Sequence, residues 1–449
     1  MDRVAAAEQL GARRFDILVI GGGIVGAGIA EAASAHGLSV ALLDRGDFAS
    51  ATSSGSSKLI HGGLRYLQMG DVRLVREAHQ ERRYLMNVVA PHLVERLPFL
   101  FPLYRGGPHR PIVVRTGVLL YSALARARLN GRISRERALR LVPQLRTERL
   151  HSSALYADAS TNDGRLTVEN VVAASERGAV VLNYAEVTAI RPDGADAYVD
   201  GRDVRVQAAA IVNATGPWLD DMRLLEDPAA RPSIRLSKGV HVLVDGGEGW
   251  GAAVTIPQSK VRVSFAIPWE GMLLLGTTDT LHEDRPEAAR VTDDDVATIL
   301  AEAGTAIDGL GPVRAAFHGL RVLPGGPGAT ASARRETVYM RGPTGMLSVA
   351  GGKLTTYRRI ALDALDQLGV RNLDRTPRPL PGAIGLGAVD WPLDLDAPTR
   401  RHLLHLYGSR AADVVRPALD DPSLLEPLVD GRPDLRAQER YAREREFAV

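Results

Sequence analysis

Short apolar runs, broken by glycine and by amphipathic stretches, organise the start of the chain. In "FDILVIGGGIVGAGIAEAASAHGLSVALLD", Ile17 to Ile20 is short enough to be a buried strand. Small residues then recur at helical spacing from Ile24 to Ala35. His36-Gly37 stops that helix, and Val40 to Leu43 is a second buried run ending at Asp44. The pattern predicts one βαβ unit. From Val72 to Ala90 apolar positions return with a helical period, charges on one face, until Pro91. A helix is expected from about Leu166 to Glu176, a strand from about Val180, and a buried strand from Ala210 to Asn213 that ends in "ATG". Between Ile234 and Asp279 the stretches "GVHVLVD", "VRVSFAIPW" and "GMLLLGTTD" suggest an antiparallel sheet. "ETVYMRGPTGMLSVAGGKLTTYRRIALDAL" reads as hairpin, double glycine, helix. After Asn372 a Pro/Gly-rich linker leads into short helical patterns.

No apolar run approaches the ~20 residues of a membrane span. The best candidate, "GVLLYSALARA" from Gly117, is cut by Arg126, and Ile17 to Ile20 is too short for the core of a signal peptide. The chain is therefore expected to be soluble or to lie on a membrane surface. Its 449 residues allow roughly three ordinary domains. Net charge is +2, which argues against a polyelectrolyte partner, so no nucleic acid is expected. The absence of Cys excludes disulfides, thiolate catalysis and Cys-ligated metal or iron–sulfur sites, and no metal is expected.

Charge changes the picture in two places. "SSGSSKLIHGGLRYLQ" sets Lys58, His61, Arg65 and Tyr66 among small residues, with no acid from Phe48 to Gly70. An anion from outside the chain is the expected partner. From Arg96 to Arg135 there are eight arginines, no acid, and apolar residues between them, as suits anionic head groups or a solvated packing helix.

The strongest chemical signal is Gly21-x-Gly23-x-x-Gly26. Gly21 permits the tight turn, Gly23 lets a pyrophosphate approach the backbone, and Gly26 lets helix pack on strand. Asp44 lies 21 residues after Gly23, where a carboxylate accepts from a ribose 2′-hydroxyl. Arg45 beside it would suit a 2′-phosphate, but Asp44 opposes that. The two glycines of "GGKLTTYR" open a helix whose dipole can stabilise negative charge on a reduced flavin. No second fingerprint for a nicotinamide nucleotide follows. A resident FAD is the cofactor these features favour.

"IVNATGPW" resembles the second FAD contact of the glutathione-reductase-like flavoproteins. Together, "FDILVIGGGIVGAGIA", "ATSSGSSKLIHGGLRYL", "VNATGPW", "FAIPW", "GTTDT" and "GGKLTTYR" resemble, in order from Phe15 to Arg358, the FAD-dependent, quinone-linked glycerol-3-phosphate dehydrogenase family. The resemblance implies an α/β fold with a Rossmann-like FAD-binding domain (12–75, 150–230 and 312–372), an antiparallel β cap carrying substrate contacts (76–149 and 231–311), and a short helical C-terminal domain (388–449). Family members commonly continue further at the C-terminus.

Implied cofactor contacts are Gly21, Gly23, Ile24, Val25, Gly26, Asp44, Arg45, Thr52, Ser53, Ser54, Lys58, Leu59, His61, Gly62 and Gly63. Later in the chain they are Val187, Ala214, Thr215, Gly216, Trp218, Gly352, Lys353, Leu354 and Thr355. Val25 stands where the family often has Asn. Arg65, Tyr66, Arg321, Arg334, Lys353 and Thr355 would hold the substrate phosphate, since Arg forks match phosphate oxygens in pairs. His241, Arg321 and Lys353 are the implied catalytic residues, with His241 or a neighbour acting through water as the base. The implied reaction takes sn-glycerol 3-phosphate to dihydroxyacetone phosphate. Electrons would pass to a quinone at the cytoplasmic face of the cell membrane, where the chain would sit peripherally, as a homodimer. The rivals are a glycerol-phosphate or amine oxidase using oxygen and a flavin-binding protein without turnover.

Overall fold

The computed structural model describes residues 3–63, 67, 71–107, 109–125, 131–259, 262–325, 337–387 and 389–449. The elements that build the site are, in chain order, β1 (Phe15–Ile20), α1 (Ile24–Ala35), β2 (Val40–Leu43), α2 (Val72–Tyr84), β3 (Glu95–Tyr104), α3 (Pro111–Leu124) and β4 (Leu150–Ser160). They continue with α4 (Asp163–Glu176), β5 (Arg202–Asn213), β6 (Ile234–Val244), β7 (Met272–Gly276), β8 (Val313–Pro324), β9 (Leu347–Ala350) and α5 (Tyr357–Gln367).

β1 lies at the heart of a parallel sheet, flanked by β2 and β5, with β9 beyond β5. Every residue of β1 but Asp16 is buried, as a strand covered on both faces requires. The register aligns Ile20 with Leu43 on one side and Asn213 on the other, and Asn213 with Ser348. Four strands therefore end together, and the loops at Gly21, Asp44, Ala214 and Gly351 leave from one edge. Ligands of open α/β sheets bind in the crevice outside such carboxyl ends.

Helix α1 is clamped between α4 and α5. Its alanines let neighbours approach: Ala27, Ala30 and Ala33 share a core with Val171, Ala174, Ile360, Ala361 and Ala364. At Gly28 a Cβ would meet Tyr357 Cδ2 at 2.7 Å, so the small residues of the early pattern are packing requirements. Helix α4 starts at Asp163, earlier than the apolar pattern shows, because the Asn162 side chain accepts from the Arg165 N–H and caps it.

The second sheet is mixed and mostly antiparallel. β6 pairs with β7 and β8, and β3 pairs with β4. Here the expected domain boundaries need correction. β4 and β8, assigned to the cofactor domain at 150 and 312, are strands of the cap sheet. From β4, Leu150 and Leu155 pack beside Val240, Val254 and Leu275 in the cap core. β8 brings Arg321 to the cofactor crevice, while β4 leads into α4, whose Asp163 is buried apart from the cavity.

Candidate active site

The strand ends and the cap face enclose a cavity of about 540 Å³. Its near end is built by the glycine turn. Gly21 has φ +105°, and a Cβ there would meet Ala214 O at 2.6 Å, so only glycine allows β1 to turn this close to β5. At Gly26 a Cβ would lie 1.8 Å from Gly21 O. Gly23 begins α1 without a capping side chain, and Gly23, Ile24 and Val25 line the cavity. The Ile24 N–H is met by Ser53 Oγ, and the helix dipole behind this turn favours a pyrophosphate. Asp44 accepts from the N–H groups of Gly22 (2.6 Å) and Gly46 (2.8 Å). Burial raises its pKa against those bonds, and Asp44 lines the cavity. Ala214, Thr215, Gly216 and Val187 line the same end. Arg45 lies over the Trp218 ring, 4.4 Å from its centroid, while Glu287 of the cap accepts from both side chains at 2.6 Å. These residues fit a dinucleotide of the FAD type.

The far end is cationic. Ser57, His61, Gly239, His241, Arg321, Lys353 and Thr355 line it. Arg321, on β8, donates to Thr278 O (3.1 Å) and Thr277 Oγ1 (2.9 Å) and lies over Gly239, where a Cβ would meet its Nη2 at 2.3 Å. The Gly351-Gly352 pair, both at positive φ, returns β9 to the cavity and delivers Lys353 and Thr355. Thr355 Oγ1 accepts from His61 N–H (3.0 Å) and donates to His61 O (3.2 Å), tying the two cofactor loops together. His241, on β6, is buried beside Ser57. Burial, aided by the Arg321 and Lys58 cations, holds its pKa down to about 3, so the ring is neutral.

The cavity thus gathers most of the expected residues, including Thr52, Ser53, Leu59, Gly352 and Leu354. Five do not line it. Gly26 serves helix packing. Gly62 packs on the His79 ring, with its N–H 3.4 Å from Asp158 Oδ1, and Gly63 follows it at positive φ. Ser54 turns its hydroxyl to Ala51 O. Lys58 is the clearest correction: its ammonium donates to Asp163 Oδ1 (2.6 Å) and Ser54 O (2.5 Å), buried away from the cavity. The anion it needs is encoded, 105 residues downstream, where no local pattern could reveal it. Ser53, which was expected to face a cofactor, also accepts from Ile24 N–H, and nearby Ser56 donates to Asp163. Arg65, Tyr66 and Arg334 lie outside the described residues. Glu287 gave no signal in the sequence, being one acid in a single short turn of 3-10 helix, Pro286–Ala288.

A model of the FAD-dependent oxidoreductase family matches residues 16–358. The chain is 36% identical to a glycerol-3-phosphate dehydrogenase of Mycobacterium leprae, covering 98% of this chain and 80% of that protein. It is 37% identical to glycerol-3-phosphate dehydrogenase 2 of Mycobacterium tuberculosis, covering 100% of this chain and 81% of the relative. Among solved structures it is similar to the glycerol-3-phosphate dehydrogenase of Bacillus halodurans complexed with FAD. The TM-score there is 0.77 at 29% identity, covering 100% of this chain and 86% of that one.

Proposed function

The chain belongs to the FAD-dependent glycerol-3-phosphate dehydrogenase family, and on that premise we propose that it oxidises sn-glycerol 3-phosphate at C2 to dihydroxyacetone phosphate. FAD, its cofactor, supplies when bound the oxidised ring that accepts the hydride. The observation that carries the reading is the meeting of Arg321, Lys353, Thr355 and neutral His241 in one cavity with the dinucleotide loops.

Asp44 and the start of α1 would hold the adenosine and pyrophosphate of FAD. Arg321, oriented by its bonds to Thr277 and Thr278, and Lys353 attract the phosphate dianion and stabilise negative charge developing on the C2 oxygen. Arg65, Tyr66 and Arg334 join this cradle in our reading. His241, being neutral, is competent to receive the hydroxyl proton. A cradle this cationic favours a phosphate ester over an amine, because a small amino acid carries no dianion for it to hold.

In our reading the electrons pass on to a membrane quinone at the cytoplasmic face. Helix α3 supports this: Ile112, Val113, Leu119 and Leu120 are exposed on it, with Arg110 and Arg115 beside them. An apolar face flanked by cations suits the interface of an anionic bilayer. No helix among the described residues is long and apolar enough to cross a membrane.

The reading is tested with Arg321→Ala. Steady-state kinetics should show KM for glycerol phosphate raised by about 10²-fold, the scale of a lost charge-assisted contact of about 3 kcal/mol, with FAD content unchanged. A variant that loses FAD while keeping its KM would contradict the placement of Arg321 at the substrate.

A further inference from the structure

His241 is held so that one edge of its ring is usable. The ring stacks on Phe317 with centroids 5.2 Å apart and planes at 18°. Gly276 of β7 packs against it, and a Cβ there would come within 2.7 Å of His241 Cδ2. Nδ1 is sealed inside the protein with no hydrogen-bond partner among the described residues. Nε2 lies 2.8 Å from Ser57 Oγ. A substrate hydroxyl therefore cannot use Nδ1, and at Nε2 it finds the Ser57 hydroxyl already in place. Ser57 itself lines the cationic end of the cavity. Its neighbours differ: the Ser53 hydroxyl accepts from Ile24 N–H and the Ser56 hydroxyl donates to Asp163.

We propose that Ser57 is a catalytic residue, a hydroxyl relay between the C2 hydroxyl of the substrate and His241 Nε2. This rests on glycerol phosphate being the substrate. As the C2–H bond breaks, its electron pair leaves with the hydride to oxidised FAD and the C2–O bond becomes a carbonyl. The O–H proton moves to Ser57 Oγ while the Ser57 proton moves to Nε2, so the serine ends unchanged and His241 ends as imidazolium. Burial, and then the Arg321 and Lys58 cations, oppose that charge in the ligand-free protein. A phosphate dianion drawn to Arg321 counters its share of that opposition.

The test is anaerobic stopped-flow reduction of the FAD-loaded protein by sn-glycerol 3-phosphate, with flavin absorbance and FAD content as readouts. Ser57→Ala should retain FAD and slow reduction by about 10²-fold, the lower range for lost acid–base assistance. Ser57→Thr, which restores a hydroxyl, should recover most of the rate. Adding His241→Gln to Ser57→Ala should cost little more, because one path has already been cut. Reduction of Ser57→Ala at the wild-type rate, or losses that multiply in the double variant, would overturn the relay alone. A wild-type protein that glycerol phosphate cannot reduce would overturn the substrate reading and the relay with it. Should Ser57→Ala shed FAD, the wild-type rate in H2O/D2O mixtures decides: a curved proton inventory indicates two protons in flight, and a linear one contradicts the relay.

Discussion

Lys58 shows what a buried charge demands of its surroundings. Its ammonium and the Asp163 carboxylate are both almost fully buried, and each is satisfied by the other and by nearby polar groups. Removing one partner leaves the other charged without water, which costs far more than the intact pair contributes. Asp163→Asn should therefore lower unfolding free energy by about 3–5 kcal/mol in urea titration. A loss under about 1 kcal/mol, the range of an exposed pair, would show that the site is wetter than its geometry implies. The same pair marks a limit of reading residues along a chain. Lys58 lies in a stretch without acids, so an external anion was the natural expectation. His241 gave a partial signal: a histidine in a β-run can be seen, but its pairing with Ser57 arises only when β6 crosses the serine loop.

At the scale of elements, glycine positions and periodicity carried most of the information. The β1–α1–β2 unit, the strand ending at Asn213 and the Gly351-Gly352 turn follow from local chemistry, and each stands where the pattern placed it. α4 began earlier than expected because a cap, and not an apolar residue, sets its start. β4 and β8 pair within the cap sheet although the expected boundaries put 150–230 and 312–372 with the cofactor domain, because strand pairing between distant segments leaves no local mark. Gly26 makes the element-scale account testable. A Cβ there would lie 1.8 Å from the Gly21 carbonyl, which is backbone and cannot swing aside. Gly26→Ala should push α1 off β1, open the phosphate turn and yield protein with little bound FAD, measured as the ratio of flavin to protein absorbance. Gly37→Asn is the control: Gly37 has a positive φ that Asn tolerates, and no atom lies within 4 Å of its Cβ position, so FAD content should not change. Equal FAD in both variants would mean that close packing at Gly26 does not shape the site.

For the whole molecule, the decisive arrangement is the meeting of two sheets at one crevice. The parallel sheet ends its strands together and so aligns the glycine turn, Asp44, Ala214 and Gly351. The cap sheet brings His241 on β6 and Arg321 on β8 to the same cavity. Neither sheet alone holds both a cofactor and a phosphate ester. That joint site is the central claim, and an anaerobic absorbance spectrum tests it most directly. Purified FAD-loaded protein is mixed with sn-glycerol 3-phosphate, with glycerol and with glycine. The flavin band should bleach with the phosphate ester and persist with the other two. Bleaching with glycine, or none with glycerol phosphate, would contradict the account.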